Sequence, residues 1–230
     1  MIFGKKIIGS VGIMGGVMSY PAPFLWSWTQ FIEFNNDYVI NPGEQILYTK
    51  TDNSYHSFAR NNLVKQMRGD WLLMLDTDQA FEPDILSRML YMMYKEPEVK
   101  VLTGIYQYKG APYSPKIYRF TKNLKALEAI GKWDKPKGAG RYLIPIDSAG
   151  AGCLLIKKEV LEKVKKVFKE DPFDIVAPFS EDNSFFLKLK KLGIPVFCDP
   201  SIEIRHLDYK QITMDDYKPG NMDFKRYTLK

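Results

Sequence analysis

Cysteine and histidine are scarce in this sequence of 230 residues, which contains two of each. Cys153 and Cys198 both lie in apolar segments with strand-like patterns, so we infer neither a disulfide framework nor a Cys-x-x-Cys zinc site. Buried free thiols in a reducing compartment are the simplest account of both residues, and we therefore expect a cytoplasmic protein.

The sequence also lacks an unbroken hydrophobic run near its amino terminus. Residues 7–32 carry no charge and follow Lys5 and Lys6, which is also the pattern of a signal peptide or membrane anchor. Glycines and prolines at positions 9, 12, 15, 16, 21 and 23 would break a helix there before it crossed a bilayer. We expect no transmembrane segment, while peripheral contact with a membrane stays open.

Motifs for binding nucleic acid are missing too, because no helix-turn-helix, zinc-finger or RNA-recognition pattern is present. The net charge of +6 suits an anionic partner such as a nucleotide, a nucleic acid or a membrane surface. Much of this charge comes from residues 157–170, which have the pattern of a solvated, lysine-rich helix face. We therefore expect no nucleic-acid partner.

Predicted strands and helices alternate from residue 6 to residue 108. Strands are predicted at residues 7–13, 44–50, 71–76 and 99–108, and helices at residues 23–34, 58–69 and 82–98. This alternation is typical of a parallel sheet with helices on both faces. The sequence after residue 108 is irregular and contains scattered prolines, glycines and aromatics, so we expect strands and loops that adapt to a ligand.

Two aspartates stand at the end of an apolar strand. Asp76 and Asp78 follow residues 71–75, and side chains two positions apart on a strand point to the same face. Ligands of open parallel sheets bind just outside the carboxyl ends of the strands. Two crowded carboxylates repel each other, and a hard divalent cation such as Mg²⁺ or Mn²⁺ removes that repulsion. An Asp-Thr-Asp turn that caps the next helix is the simpler alternative, and this short motif alone does not decide between them.

Several motifs in a fixed order resemble the nucleotide-sugar glycosyltransferases of the GT-A fold, especially family 2. Residues 56–78 contain Ala-Arg-Asn, then Gly-Asp, an apolar strand and Asp-x-Asp. Residues 147–160 are similar to the small-residue loop of that family, with a strand and a helix after it. Residues 180–207 are similar to its Glu-Asp helix start and terminal histidine, so the resemblance covers about residues 5 to 207.

This resemblance implies a fold and an organisation of the chain. The expected fold class is α/β, of the GT-A (Rossmann-like) type, with a mostly parallel central sheet, helices on both faces and a smaller mixed acceptor-side sheet. Residues 1–208 would form a single domain, with a nucleotide-binding half at 1–108 and an acceptor-binding half at 109–208. Residues 209–230 would form a carboxyl-terminal tail packed on the surface.

The resemblance also implies a role for each matching residue. Asp78 would bind the metal ion directly, Asp76 would hold the ribose or bind the metal through water, and His206 would complete the metal site. Asp182, with Glu181 beside it, would be the base that deprotonates the acceptor hydroxyl. The residues that would contact the nucleotide are Asp52, Arg60, Asp76, Val11 and Gly12.

The implied activity is a metal-dependent transfer of a sugar from a nucleoside diphosphate sugar to an acceptor hydroxyl. The implied cofactor is Mn²⁺ or Mg²⁺, and a UDP- or GDP-sugar is the favoured donor. The acceptor would be a glycan, a lipid-linked molecule or a protein, and an in-line base predicts inversion at the anomeric carbon. The sequence departs from the family pattern at residues 51–54, where Thr-Asp-Asn-Ser replaces Asp-Asp-Gly-Ser.

Each of these residues also has a simpler interpretation. Glu181 and Asp182 could be favourable charges at a helix start, His206 an ion-paired histidine, and Arg60 part of a surface ion pair. Two other functions stay open, a sugar nucleotidyltransferase and a non-catalytic module that binds a glycan or a nucleic acid. A nucleotidyltransferase needs a basic glycine-rich loop for its triphosphate, whereas residues 12–20 contain no lysine or arginine.

Aromatic residues fall into two groups. One has helical spacing and is predicted to belong to the core, and it comprises Trp26, Trp28, Phe31 and Phe34. The other lies in the irregular region and contains better candidates for stacking on a sugar, namely Tyr106, Tyr108, Tyr113 and Tyr118.

Overall fold

The computed structural model of the protein describes residues 4–15, 20–52, 55–134, 141–208 and 211–214. Strands and helices alternate in its first half, as the sequence predicts. These elements are β1 (Lys6–Gly15), α1 (Ala22–Tyr38), β2 (Glu44–Asp52), α2 (His56–Gln66), β3 (Trp71–Asp76), β4 (Gln79–Ala80), α3 (Ile85–Lys95) and β5 (Val101–Ile105).

The second half contributes short strands and two further helices. They are β6 (Ile117–Phe120), β7 (Leu127–Ala129), β8 (Ile144–Ile146), β9 (Ser148–Ala149), β10 (Cys153–Lys157), α4 (Lys158–Phe168), α5 (Glu181–Lys191), β11 (Val196–Glu203), β12 (Arg205–Leu207) and β13 (Gln211–Ile212). The strand β13 falls in the predicted tail and pairs with β12, while residues 215–230 lie outside the described part of the chain.

Seven strands form the central sheet in the order β2-β1-β3-β10-β5-β11-β8. Five of them share one direction, and β10 and β8 run antiparallel to their neighbours. The predicted mostly parallel sheet is therefore confirmed, although β10 from the second half separates β3 from β5. The two smaller sheets, β13-β12-β4 and β7-β6-β9, are antiparallel rather than mixed.

Alternate side chains of the buried strand β3 pack against helices on opposite faces of the sheet. Leu72 and Met74 join the core cluster that contains residues of α2, α4 and α5. Leu73 and Leu75 join the cluster that contains residues of α1 and α3. This two-sided burial explains why the strand is apolar at every position until Asp76.

The boundaries of some elements and one aromatic residue differ from the sequence prediction. Helix α1 extends to residue 38, and α2 begins at His56, two residues before the predicted helix start. Phe31 is buried as predicted, but Trp26 is 67% exposed, so the prediction of a core position was wrong for Trp26. None of the helices in the described part of the chain is long and apolar enough to span a membrane.

The turn between α2 and β3 depends on a glycine. Gly69 has φ +81°, a conformation that L side chains rarely adopt, and a Cβ atom there would collide with the backbone of Ile8 and Gly9 in β1. The amide of the next residue, Asp70, donates to the carbonyl of Ile8 at 3.0 Å. The close approach of these two backbones starts β3 in register beside β1.

We expect Gly69→Ala to lower the free energy of unfolding by roughly 2–4 kcal/mol. About 1 kcal/mol comes from the left-handed backbone and about 1–3 kcal/mol from the collision. Gly193→Ala is the matched control, because Gly193 also has a positive φ but has open space around its Cβ position. Urea-induced unfolding of both variants measures the difference, and equal losses would show that the collision contributes nothing.

Candidate active site

A cleft of about 1000 Å³ opens at the carboxyl ends of β1 and β3, the edge of the sheet at which the sequence predicts a ligand. Four parts of the chain contribute titratable side chains to its lining. The residues are His56 and Arg60 from α2, Asp76 and Asp78 after β3, Lys109 and Lys116 between β5 and β6, and Glu181, Asp182 and His206 from the last third of the chain.

Arg60 lies at the centre of this cleft and is only 2% exposed. Its Nη2 atom is 3.4 Å from Asp76 Oδ1, and its Nε atom is 2.8 Å from Asp182 Oδ1 and 3.5 Å from Glu181 Oε1. Its Nη1 atom donates to the carbonyl of Ala151 at 3.1 Å. One buried guanidinium therefore holds three carboxylates that would otherwise repel one another.

Two of the carboxylates around Arg60, those of Asp76 and Glu181, have raised pKa values. Burial raises the pKa of Asp76, and the charge of Arg60 opposes this effect only in part. Burial and the neighbouring charge of Asp182 raise the pKa of Glu181 above 4.5, again against Arg60. The cluster therefore contains proton acceptors with pKa values shifted toward neutrality, which is the property that a general base needs.

A loop of small residues holds Asp182 in place. The amide of Ala151 donates to Asp182 Oδ2 at 3.1 Å. A Cβ atom on Gly150 would collide with the hydroxyl of Tyr106, and one on Gly152 would collide with the side chain of Gln79. This is the small-residue loop noted in the sequence. Its residues are small because polar side chains of the site pack directly against the loop backbone.

Asp78 and His206 form a second polar centre in the cleft. His206 Nε2 lies 3.3 Å from Asp78 Oδ2, and Lys109 Nζ lies 2.8 Å from the same oxygen. His206 Nδ1 is 2.7 Å from the carbonyl of Gln107, so Nδ1 carries a proton and donates it, and Nε2 is directed at Asp78. Burial alone would raise the pKa of Asp78, but the hydrogen bonds from His206 and Lys109 outweigh it and lower this pKa.

This pair provides a carboxylate oxygen and an imidazole nitrogen aimed at one point, which is a donor set that fits Mn²⁺. The backbone carbonyl behind His206 fixes its ring in the way usual for metal ligands. The described residues contain no group of three or more His, Cys, Asp or Glu side chains placed to hold a metal ion. Of the three predicted ligands, Asp78 and His206 lie together, whereas Asp76 faces Arg60.

Tyr106 is a buried residue that packs against both the small-residue loop and His206. It is buried, its hydroxyl accepts a hydrogen bond from the amide of Gly152 at 3.1 Å, and its ring meets that of His206 edge to face at 5.4 Å. Lys116 Nζ lies 5.2 Å from its ring centroid and 5.3 Å from that of Tyr108. The ring of Tyr106 is thus occupied by protein groups, whereas Tyr108 remains exposed.

The remaining nucleotide-binding candidates lie outside the described cleft lining. Val11 is fully buried in the core, and a Cβ atom at Gly12 would lie 2.7 Å from the side chain of Leu63, so both positions face packed protein. Met14 and Gly15, further along β1, line the cleft instead. The backbone of Asp52 ends β2, while its side chain and residues 53–54 lie outside the described part of the structure.

Among the cleft residues that the sequence-based reasoning missed is Lys109. It follows β5 by four residues, and the carboxyl end of β5 lies on the same edge of the sheet as that of β3. The rule that drew attention to Asp76 and Asp78 therefore also applied to Lys109. A lysine in an irregular segment has no pattern of its own, and so it did not stand out.

Comparison with known proteins gives one family match. The model of glycosyl transferase family 2 matches residues 32–165. No curated protein matches the chain in a sequence search.

Solved structures show a similar fold. The crystal structure of A197 from STIV is similar over 90% of this chain and 91% of that one, with 20% identity and a TM-score of 0.58. This likeness confirms the expected fold class. CMP:2-keto-3-deoxy-manno-octonic acid synthetase complexed with CTP is similar over 85% and 90% of the two chains, with 12% identity and a TM-score of 0.49. 4-Diphosphocytidyl-2C-methyl-D-erythritol synthase from Anaerococcus prevotii DSM 20548 is similar over 91% and 90%, with 10% identity and a TM-score of 0.44.

Removal of the central guanidinium should be costly. We expect Arg60→Met to lower the free energy of unfolding by about 3–5 kcal/mol, because three carboxylates lose their buried counter-charge. Lys158→Met is the control, since it breaks only an exposed ion pair with Glu162 and should cost about 0.5 kcal/mol or less. Urea-induced unfolding near neutral pH compares them, and a loss no larger than that of the control would contradict the central role of Arg60.

The raised pKa of Glu181 predicts a pH dependence of stability. The folded state binds a proton on Glu181 more tightly than the unfolded chain does. Protonation of Glu181 therefore stabilises the fold fully below pH 4.5, and this stabilisation is lost as pH rises through the folded-state pKa. Glu181→Gln removes this effect, and we expect the variant to gain stability relative to wild type as pH rises. Urea-induced unfolding over a pH series measures the gain. Glu162→Gln, at an exposed position, should show none, and a gain for Glu181→Gln that is constant with pH would refute the assignment.

Proposed function

The chain belongs to glycosyl transferase family 2, as the sequence resemblance implied, and we propose that this cleft transfers a sugar from a nucleoside diphosphate sugar to an acceptor hydroxyl. The observation that carries this proposal is the meeting of Asp78 and His206 beside a cluster of carboxylates at the carboxyl end of β3. A site for transfer needs a place for the departing diphosphate and a base for the acceptor. The Asp78–His206 pair would serve the diphosphate through a bound cation, and the carboxylates around Arg60 would supply the base.

The Asp78–His206 pair would hold a Mn²⁺ or Mg²⁺ ion as the cofactor. Such an ion would neutralise the charge that grows on the departing nucleoside diphosphate. The chain brings two ligands together, so oxygens of the donor and water would complete the coordination. His206 is ready for this role because Gln107 already holds its other ring nitrogen.

Asp182, with Glu181 beside it, would act as the general base. Arg60 and the amide of Ala151 fix its orientation, and each of its oxygens keeps a lone pair for the acceptor hydroxyl. The acceptor oxygen would bond to the anomeric carbon while its proton passes to Asp182 and the bond from that carbon to the diphosphate breaks. A single displacement of this kind inverts the anomeric configuration.

Two parts of the cleft lining suggest where each substrate would bind. Met14 and Gly15 line it at the end of β1, which is the side that we assign to the nucleoside of a UDP- or GDP-sugar. Tyr55 and Phe58 line it at the start of α2 and are 91% and 59% exposed, so their rings are available to a glycan, a lipid-linked molecule or a protein as acceptor. The buried free thiols of the described structure support the cytoplasmic location that we propose.

The proposal predicts nucleotide binding that depends on both a metal and Asp78. One of UDP, GDP, CDP or dTDP should raise the melting temperature in the presence of Mn²⁺, equivalent to about 2.7 kcal/mol at a hundredfold excess over Kd. Asp78→Ala should abolish this shift. Asp208→Ala, which removes an exposed acid two residues after His206, should retain it.

A thermal-shift panel with and without Mn²⁺ makes this measurement. If no nucleotide shifts the melting temperature, a non-catalytic binding module becomes the better interpretation. With the donor sugar identified, NMR of the product checks the mechanism. An α-linked donor that gave an α-linked product would exclude the single displacement by Asp182.

A further inference from the structure

The oxygen that is predicted to bind the metal ion already has two nitrogen neighbours. Asp78 Oδ2 is 2.8 Å from Lys109 Nζ and 3.3 Å from His206 Nε2. The side chains of Lys109 and Asp78 are 38% and 42% exposed, so their ion pair lies at the surface of the cleft. A lysine ammonium therefore stands beside the carboxylate at which a divalent cation would have to bind.

The segment that carries Lys109 is anchored at its base and exposed at its tip. The amide of Lys116 donates to the carbonyl of Tyr106 at 2.8 Å, and that of Tyr108 donates to the carbonyl of Ser114 at 3.0 Å. The carbonyl of Gln107 holds His206 at the same base. Lys109 follows these anchors on a long flexible side chain, so its ammonium group can turn away from Asp78 without disturbing His206.

The buried guanidinium of Arg60, which also lines the cleft, is already paired with acids. Arg60 contacts three carboxylates, and to neutralise a diphosphate it would have to release them. A divalent cation at Asp78 repels an ammonium group on the same oxygen, and a diphosphate beside that cation attracts it. Electrostatic forces would therefore move the ammonium group of Lys109 from Asp78 to the diphosphate within the cleft.

We propose that Lys109 stabilises the leaving group of the reaction, the nucleoside diphosphate. In the empty cleft Lys109 neutralises Asp78, and when a divalent cation binds at Asp78 its ammonium group moves to the diphosphate of the donor. This inference rests on the proposed function, because it takes the diphosphate and the cation from it. Two effects follow for the protein. Lys109 weakens the binding of the cation alone, and it strengthens the binding of the nucleoside diphosphate together with the cation.

Direct measurement of Mn²⁺ binding tests the first effect without any turnover. Electron paramagnetic resonance of free Mn²⁺ gives the affinity of wild type, Lys109→Met and Lys100→Met in the absence of nucleotide. We expect Lys109→Met to bind Mn²⁺ about tenfold more tightly, because a competing cation has been removed. Lys100 is the matched control, since it forms an ion pair of similar exposure with Glu159 at 3.0 Å, and its variant should bind as wild type does.

Calorimetry with UDP, GDP, CDP and dTDP at saturating Mn²⁺ tests the second effect. Lys109→Met should bind the preferred nucleotide about tenfold more weakly than wild type, and Lys109→Arg, which keeps the charge, should restore most of the affinity. Equal Mn²⁺ affinity in wild type and Lys109→Met would overturn the proposal, and so would unchanged nucleotide affinity.

The outcomes also separate this proposal from the proposed function. Nucleotide binding by a wild type that takes up no Mn²⁺ would overturn the exchange at Asp78 and leave the use of a nucleotide sugar standing. If no nucleotide binds to any variant, the proposed function fails and the transfer of Lys109 to a diphosphate fails with it.

Discussion

A buried guanidinium that holds three carboxylates is the constraint on which the rest of the cleft depends. Arg60 comes from the first turns of α2, Asp76 from the end of β3, and Glu181 and Asp182 from the start of α5. Its fourth contact is the carbonyl of Ala151 in the loop before β10. Because a buried charge is costly without partners, these contacts fix four separate parts of the chain relative to one another.

Neighbouring contacts reinforce the same junction between α2 and the segment before α5. Asn61 follows Arg60 and both donates to Asp174 Oδ1 at 2.8 Å and accepts from the amide of Phe173 at 2.9 Å. The buried ammonium of Lys188 donates to the carbonyls of residues 171, 172 and 174. The backbone of this segment is thereby satisfied without secondary structure, and α5 starts where its first two acids meet Arg60.

The sequence predicted the parts of the fold that repeat locally. Strand β3 matched its predicted bounds because its first five residues are buried and apolar, and the alternation of strands and helices indicated the parallel sheet. The position of β10 between β3 and β5 carries no periodic signal, since strand order depends on contacts between distant segments. Trp26 had helical spacing with buried neighbours, yet spacing alone does not determine which side of the apolar stripe faces solvent.

The same distinction applies to the site. The family resemblance implied that Asp78 and His206 belong to one metal site, and the two side chains lie together although 128 positions separate them in sequence. The depth of Arg60 could not be predicted, because it follows from carboxylates at positions 76, 181 and 182 that only the fold brings near it. An isolated arginine after an alanine is equally compatible with a surface ion pair.

The charges of the two centres show why they would work together. Arg60 leaves the three surrounding carboxylates with an excess of negative charge. Burial, and after it the charges of neighbouring carboxylates, raise the pKa of Asp76 and of Glu181. A diphosphate entering such a cleft would meet repulsion from the acids and attraction from Lys109. A divalent cation at Asp78 changes this balance in favour of the donor, so under the proposed function cation and nucleotide sugar would bind more tightly together than either alone. The acid cluster that would serve as the base is then also the reason that the donor needs its metal ion.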